Sequence, residues 1–166
     1  IIRSGFSALG QVMLLRLLNE VVRNHLPTVD VGVGLDFVSA AHTIATIHIQ
    51  EFHDIDGDAK SGRRTLPIIL SSKGVVYLRQ ITATIFLTAS PLLFAWGLAR
   101  CPAGGLLSVH LIGILYMAAS LVTAIRVVLG SPETKMMDEN TYKCYYAVVS
   151  FSLGTYLVQM DGETCN

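Results

Sequence analysis

Between Gln50 and Pro67 the chain reads QEFHDIDGDAKSGRRTLP, and nearly every residue able to do chemistry lies in that run. Four carboxylates, Glu51, Asp54, Asp56 and Asp58, stand at the end of an otherwise apolar stretch, followed by Lys60, Arg63 and Arg64 with Gly62 among them. On a continuing helix Asp54 and Asp58 project from one face a turn apart, Glu51 joins them from three residues earlier, and Asp56 points elsewhere. Stacked carboxylates repel unless a cation neutralises them, and their hard oxygens favour Mg²⁺ or Ca²⁺. Carboxylates for a divalent ion beside guanidinium groups make a receptor for polyphosphate, because metal and arginine both neutralise phosphate oxygens. At a lipid boundary such a receptor suits a charged head on an apolar tail, a description that an isoprenyl diphosphate fits.

Two blander explanations compete. Acids and bases near a helix end also form a solvated collar at a membrane surface, although a collar has no need of two aspartates one turn apart followed by Gly-Arg-Arg. A calcium loop of the EF-hand type carries acids at its first, third and fifth positions, as Asp54, Asp56 and Asp58 do. That loop fails where Ala59 replaces its glycine and Thr65 its glutamate.

The elements that must position these residues are membrane helices. Of 166 residues, 52% are hydrophobic and 14% charged, with mean hydropathy +0.54, against about 25% charged in an ordinary soluble domain. Twelve Lys and Arg balance twelve Asp and Glu, which removes the electrostatic case for a nucleic-acid partner. Cys101, Cys144 and Cys165 are odd in number and lack CxxC spacing, so they indicate neither a disulfide framework nor a zinc site. The start at Ile1-Ile2-Arg3 lacks both Met and a secretory signal pattern and suggests a piece of a longer chain.

A crossing takes roughly 20 mostly apolar residues. The pattern predicts one all-α membrane domain over 1–166, a bundle of about five helices near 5–23, 31–50, 75–99, 105–128 and 141–160. The first includes Arg16 and Glu20, four apart and able to pair. Arg3, Lys60, Arg63, Arg64, Lys73, Arg79, Arg126, Lys135 and Lys143 fall on one side of this topology, and Arg23 and Arg100 on the other. The positive-inside rule then turns the 51–73 loop to the cytosol.

In the second helix the stripe Asp36, Ala40, Thr43, Ile47, Gln50, Asp54 is expected to face inward and Phe37, Val38 and Ile49 outward. His42 and His48, six apart, do not share a face; they and His110 read as packing or helix-to-helix hydrogen-bonding residues. Tyr142, Tyr145 and Tyr146 read as an interfacial aromatic belt, with a substrate mouth as the alternative, and Pro91 is expected to kink the third helix.

The spacing of Asp54 and Asp58 with the Gly62–Pro67 run GRRTLP resembles the second aspartate-rich motif of the UbiA superfamily of intramembrane prenyltransferases, its long fungal members most of all. Arg3, Ala8 and Gly10 at the start, and Asp138 and Tyr142 before the last helix, are similar as well. The resemblance implies a nine-helix fold of which this sequence covers the last five helices. It also implies a first aspartate motif, of which no copy stands here, so that this stretch alone is inactive or very weak. It further implies Mg²⁺ on Asp54 and Asp58, with Glu51 less firmly placed. Lys60, Arg63 and Arg64 would meet the diphosphate of an isoprenyl donor, and the prenyl group would pass to a lipophilic acceptor, typically aromatic. A membrane terpene cyclase of the same superfamily and a non-enzymatic membrane protein stand as alternatives.

Overall fold

The computed structural model describes residues 9, 10, 13, 16, 17, 20, 33–100, 107–131 and 134–162, and among these every regular element is helical. They are α1 (Val33–Thr46), α2 (Ile49–Phe52), α3 (Ile55–Lys60), α4 (Leu66–Ile69), α5 (Ser72–Arg100) and α6 (Leu107–Leu129), then α7 (Lys135–Asn140), a π-helical turn (Thr141–Tyr146) and α8 (Ala147–Gly162). Residues 9, 10, 13, 16, 17 and 20 are helical, in keeping with the helix expected near 5–23. The remaining residues of 5–23, Arg23 included, and Arg3 before them lie outside the described residues.

Two of these helices, over Ser72–Ala99 and Val109–Leu129, are 28 and 21 residues of apolar sequence, long enough to cross a membrane. They pack against each other along their lengths, and α8 lies on α6. The distribution of residues is that of a membrane bundle. Phe37, Leu92 and Phe151 turn outward while Ser39, Thr43, Thr82, Ser90, Ser120, Thr123 and Ser152 are buried. Without water in the hydrocarbon, inward hydroxyls must be satisfied locally. Thr43 donates to the Ser39 carbonyl at 2.9 Å, Ser90 to Phe86 at 2.7 Å and Thr123 to Ala119 at 2.7 Å.

Three expectations change. The second predicted helix is broken at Ile47 and His48, so that α1 and α2 are separate pieces. Its buried face is Ser39, His42, Thr43, Thr46 and Ile49, and Ile49, expected to face outward, is 1% exposed. Thr46 takes the inner face with its hydroxyl partners inside, whereas His42 packs there through its ring against Phe86 and Tyr116. The Thr46 hydroxyl donates to the His42 carbonyl at 2.7 Å and lies 3.2 Å from the Tyr146 hydroxyl. His42 and His48 serve as the packing and helix-to-helix hydrogen-bonding residues expected of them, both against α5: His42 meets the Phe86 ring edge-on at 5.5 Å, and His48 Nε2 is 2.6 Å from the Thr82 hydroxyl. Finally, the last helix begins at Lys135 rather than near 141, through α7 and the π turn, which shortens the loop expected over 129–140. Pro91 lies within α5 without ending it.

Close helix approach is set by small residues. A Cβ on Gly113 would sit 2.6 Å from Phe94 Cδ2 and 2.9 Å from Tyr156 Cε2, and one on Gly97 would meet the Tyr156 hydroxyl. Gly113→Ala is therefore expected to cost about 1–3 kcal/mol by overpacking, read as a lower melting temperature of the detergent-solubilised protein. An unchanged melting temperature would show that α5, α6 and α8 have slack at this junction.

Candidate active site

The acid run does not continue as one helix. α2 ends at Phe52, and Asp54, with φ −112° and ψ 20°, starts α3 as its N-cap residue. The Asp58 amide nevertheless donates to the Asp54 carbonyl at 2.8 Å, so the two aspartates keep their one-turn spacing across the break. The Asp54 carboxylate folds over Gly57: a Cβ there would meet Asp54 Oδ1 and lie 3.1 Å from its Cγ. Any larger residue at 57 would displace the carboxylate.

The end of α3 explains Gly-Arg-Arg. The Arg63 amide donates to the Asp58 carbonyl at 2.8 Å and the Gly62 amide to Ala59 at 3.1 Å, the paired bonds of a Schellman cap. Gly62 has φ +70°, which an L side chain resists. The cap returns the chain so that Arg63 Nη1 reaches Asp58 Oδ1 at 2.9 Å, with Asp58 essentially buried and Arg63 56% exposed. The turn thus carries its own counter-charge. Lys60 and Arg64 are exposed beside it.

Of the expected site residues, then, Asp54, Asp58 and Arg63 are gathered in one turn with Lys60 and Arg64 at its rim. Glu51 lies before the break and does not complete a trio: among the described residues no three His, Cys, Asp or Glu side chains stand together to hold a metal ion. The donor set that is present, two carboxylates with exposed cations beside them, fits Mg²⁺, which takes one or two protein carboxylates and draws its remaining oxygens from water and phosphate. Asp56 points away from this group, as expected, and its Oδ2 lies 3.9 Å from Lys135 Nζ in an exposed pair of little energetic weight.

Beneath the turn lies a constellation that the sequence reading did not identify. Arg79 of α5 and Asp138 of α7 are paired through two parallel bonds, Nη1 to Oδ1 at 2.8 Å and Nη2 to Oδ2 at 2.6 Å, at 4% and 3% side-chain exposure. Arg79, assigned from sequence to a charged flank, is thus part of the core. The available signal was an arginine and an aspartate at the flanks of apolar stretches, since ionisable groups at membrane depth pair. Tyr146 is buried and Tyr142 half-buried, so the expected aromatic belt divides: His53 stacks on Tyr142 at 5.5 Å and Tyr142 on Tyr146 at 6.0 Å, while Tyr145 lies 4.4 Å beneath Arg126.

Fold and site define an integral-membrane helical bundle with a capped, carboxylate-and-arginine turn at one end. The model of the UbiA prenyltransferase family matches residues 6–138, and the chain belongs to that family. Membership brings membrane prenyltransferase-type activity in general, with isoprenyl diphosphates as the substrate class. No curated protein and no solved structure matches the chain.

At the membrane surface, Lys143 Nζ bonds Glu139 Oε1 at 2.5 Å. That hydrogen bond, with the charge of Lys143 behind it, lowers the Glu139 pKa from its ordinary value. A depressed carboxylate contributes stability above its unfolded pKa and loses it as pH falls through the folded one. The Glu139 carboxyl signal is therefore expected to titrate below the ordinary glutamate range by NMR and to move up in Lys143→Gln; a signal that stays in place would remove this pair.

Proposed function

We propose that the 54–64 turn is the diphosphate-binding half of a Mg²⁺-dependent prenyltransferase site, completed by a second acid cluster outside this stretch. Asp54 and Asp58 would hold the ion, with Glu51 in reserve before the break, and Lys60, Arg63 and Arg64 would neutralise phosphate oxygens. The observation that carries this reading is the Schellman-capped turn, which keeps two aspartates one turn apart while presenting Arg63 to Asp58 and leaving Lys60 and Arg64 exposed.

Bound Mg²⁺ supplies Lewis-acid stabilisation of charge on the leaving oxygens. The chain's cations would add to it: as the allylic C–O bond breaks, its electron pair goes to the diphosphate, and the guanidinium groups of the turn would stabilise that charge. The allylic cation is then captured by a nucleophilic carbon of a lipophilic acceptor, which loses a proton. Exposed apolar side chains over α5, α6 and α8 keep the bundle in the bilayer, and the Lys and Arg bias between the two sides of the topology favours the cytosolic face for the turn.

Membranes carrying this chain, and separately a longer chain containing it, would be incubated with Mg²⁺ and labelled farnesyl or geranylgeranyl diphosphate, with and without aromatic acceptors. Label is expected in the acceptor with the longer chain alone, and Asp54→Asn and Asp58→Asn in that chain are each expected to lower turnover about 100-fold or more. A hydrocarbon formed without acceptor would make the protein a terpene cyclase. Product that is indifferent to Mg²⁺ or to both substitutions, or no product at all, would overturn the reading in favour of a non-enzymatic membrane protein.

A further inference from the structure

The turn that carries Asp54 and Asp58 is a short excursion: two helices of 4 and 6 residues separated by His53 and Asp54. Helices this short are not stable alone. Local bonds close their geometry, and what they rest on fixes its place: α2 lies on the segment 135–146, and α3 lies on α2 and α4. Three side-chain contacts tie the excursion to the bundle, two of them to the segment 135–146 and one to Arg79 of α5. Asp56 approaches Lys135, His53 stacks on Tyr142, and Phe52, two residues before Asp54, carries the Arg79 guanidinium on its ring at 4.2 Å. The first is exposed and long, and the second is half-buried. The third is buried, and it leads directly into the Arg79–Asp138 pair.

The guanidinium of Arg79 has its plane on Phe52, two N–H groups on Asp138, and a further bond from Nη1 to the Val127 carbonyl at 3.1 Å near the end of α6. One residue therefore joins α2, α5, α6 and α7. The surroundings are fitted to it: Gly130 lies so close that a Cβ would meet both Asp138 Oδ1 and Arg79 Nη1. Arg126, four residues before Gly130, fixes the other side of the same platform, with Nε 3.1 Å from the Thr141 hydroxyl and Nη2 3.4 Å from the Met137 carbonyl at the start of the π turn. π turns inside helices often mark functional positions.

We propose that Arg79 and Asp138 are positioning residues for the metal-binding turn: their buried bidentate pair, stacked on Phe52, holds residues 53–61 in the conformation that binds Mg²⁺ and diphosphate. The role depends on planarity as well as charge. A lysine at 79 keeps the charge but cannot bond both carboxylate oxygens in parallel while lying flat on the ring. The inference rests on the function proposed above, but its structural part is tested separately.

Arg79→Lys, Asp138→Asn and Phe52→Leu would be compared with the unsubstituted protein in nanodiscs by amide hydrogen exchange and thermal melting, and by the Mg²⁺ dependence of labelled inorganic pyrophosphate binding. Phe52→Leu leaves the ion pair in place and serves if the charge variants fail to fold. Expected is a loss of protection of about 10-fold or more confined to amides 53–61, with protection in α6 and α8 kept, and a Mg²⁺ concentration for half-maximal pyrophosphate binding raised by a similar factor. Unchanged protection at 53–61, or equal loss throughout α5–α8, would overturn the positioning role and leave the pair a general core contact. If the unsubstituted protein takes up no pyrophosphate with Mg²⁺, the functional reading fails while hydrogen exchange still decides whether the pair holds the turn.

Discussion

A salt bridge buried in a membrane protein is the constraint around which this structure is arranged. Arg79 and Asp138 are withdrawn from solvent almost completely, and removing two charges from water is repaid only where the geometry is excellent and the remaining donors are satisfied. The geometry here meets that demand. The pairing is bidentate, a further N–H reaches the Val127 carbonyl, and the guanidinium face rests on Phe52. Losing one partner would strand the other at a cost of about 3–5 kcal/mol, so every element touching the pair is held to its place. The glycine at 130, the start of the last helix at Lys135 and the resting place of α2 follow from it.

The acid turn obeys a different economy. It lies at the bundle's end, its helices are too short to be self-supporting, and its geometry is closed by local bonds: the Schellman cap at Gly62, the Asp58 amide on Asp54, and Arg63 on Asp58. Gly57 gives the Asp54 carboxylate its room. Such a turn combines precise local shape with open access for a charged ligand, while the apolar bundle behind it provides the bilayer depth that a prenyl tail requires. In this arrangement a charged turn and an apolar helical bundle meet at one boundary.

Arginine performs three tasks here that composition cannot distinguish. Arg79 is buried and structural, Arg63 is half in solvent and compensates an aspartate, and Arg126 lies over Tyr145 while satisfying oxygens around the π turn. Counting all three toward the charge of one membrane face, as the positive-inside rule does, hides that one of them is part of the core.

The sequence by itself determined the class of protein and marked one run, Gln50 to Pro67, as the candidate for its chemistry. Long uncharged stretches leave no alternative to membrane helices, and Asp-x-x-x-Asp followed by Gly-Arg-Arg-Thr-Leu-Pro is local enough for a reader of residues to find, because a one-turn spacing and a helix-ending glycine act over a few residues. Tertiary structure alone decided the break between α2 and α3, the inward turn of Ile49, the division of the three tyrosines and the union of Arg79 with Asp138. The two partners of that pair are 59 residues apart. Neither helical periodicity nor composition encodes which charge in one helix will meet which charge in another; that is set by how the helices dock.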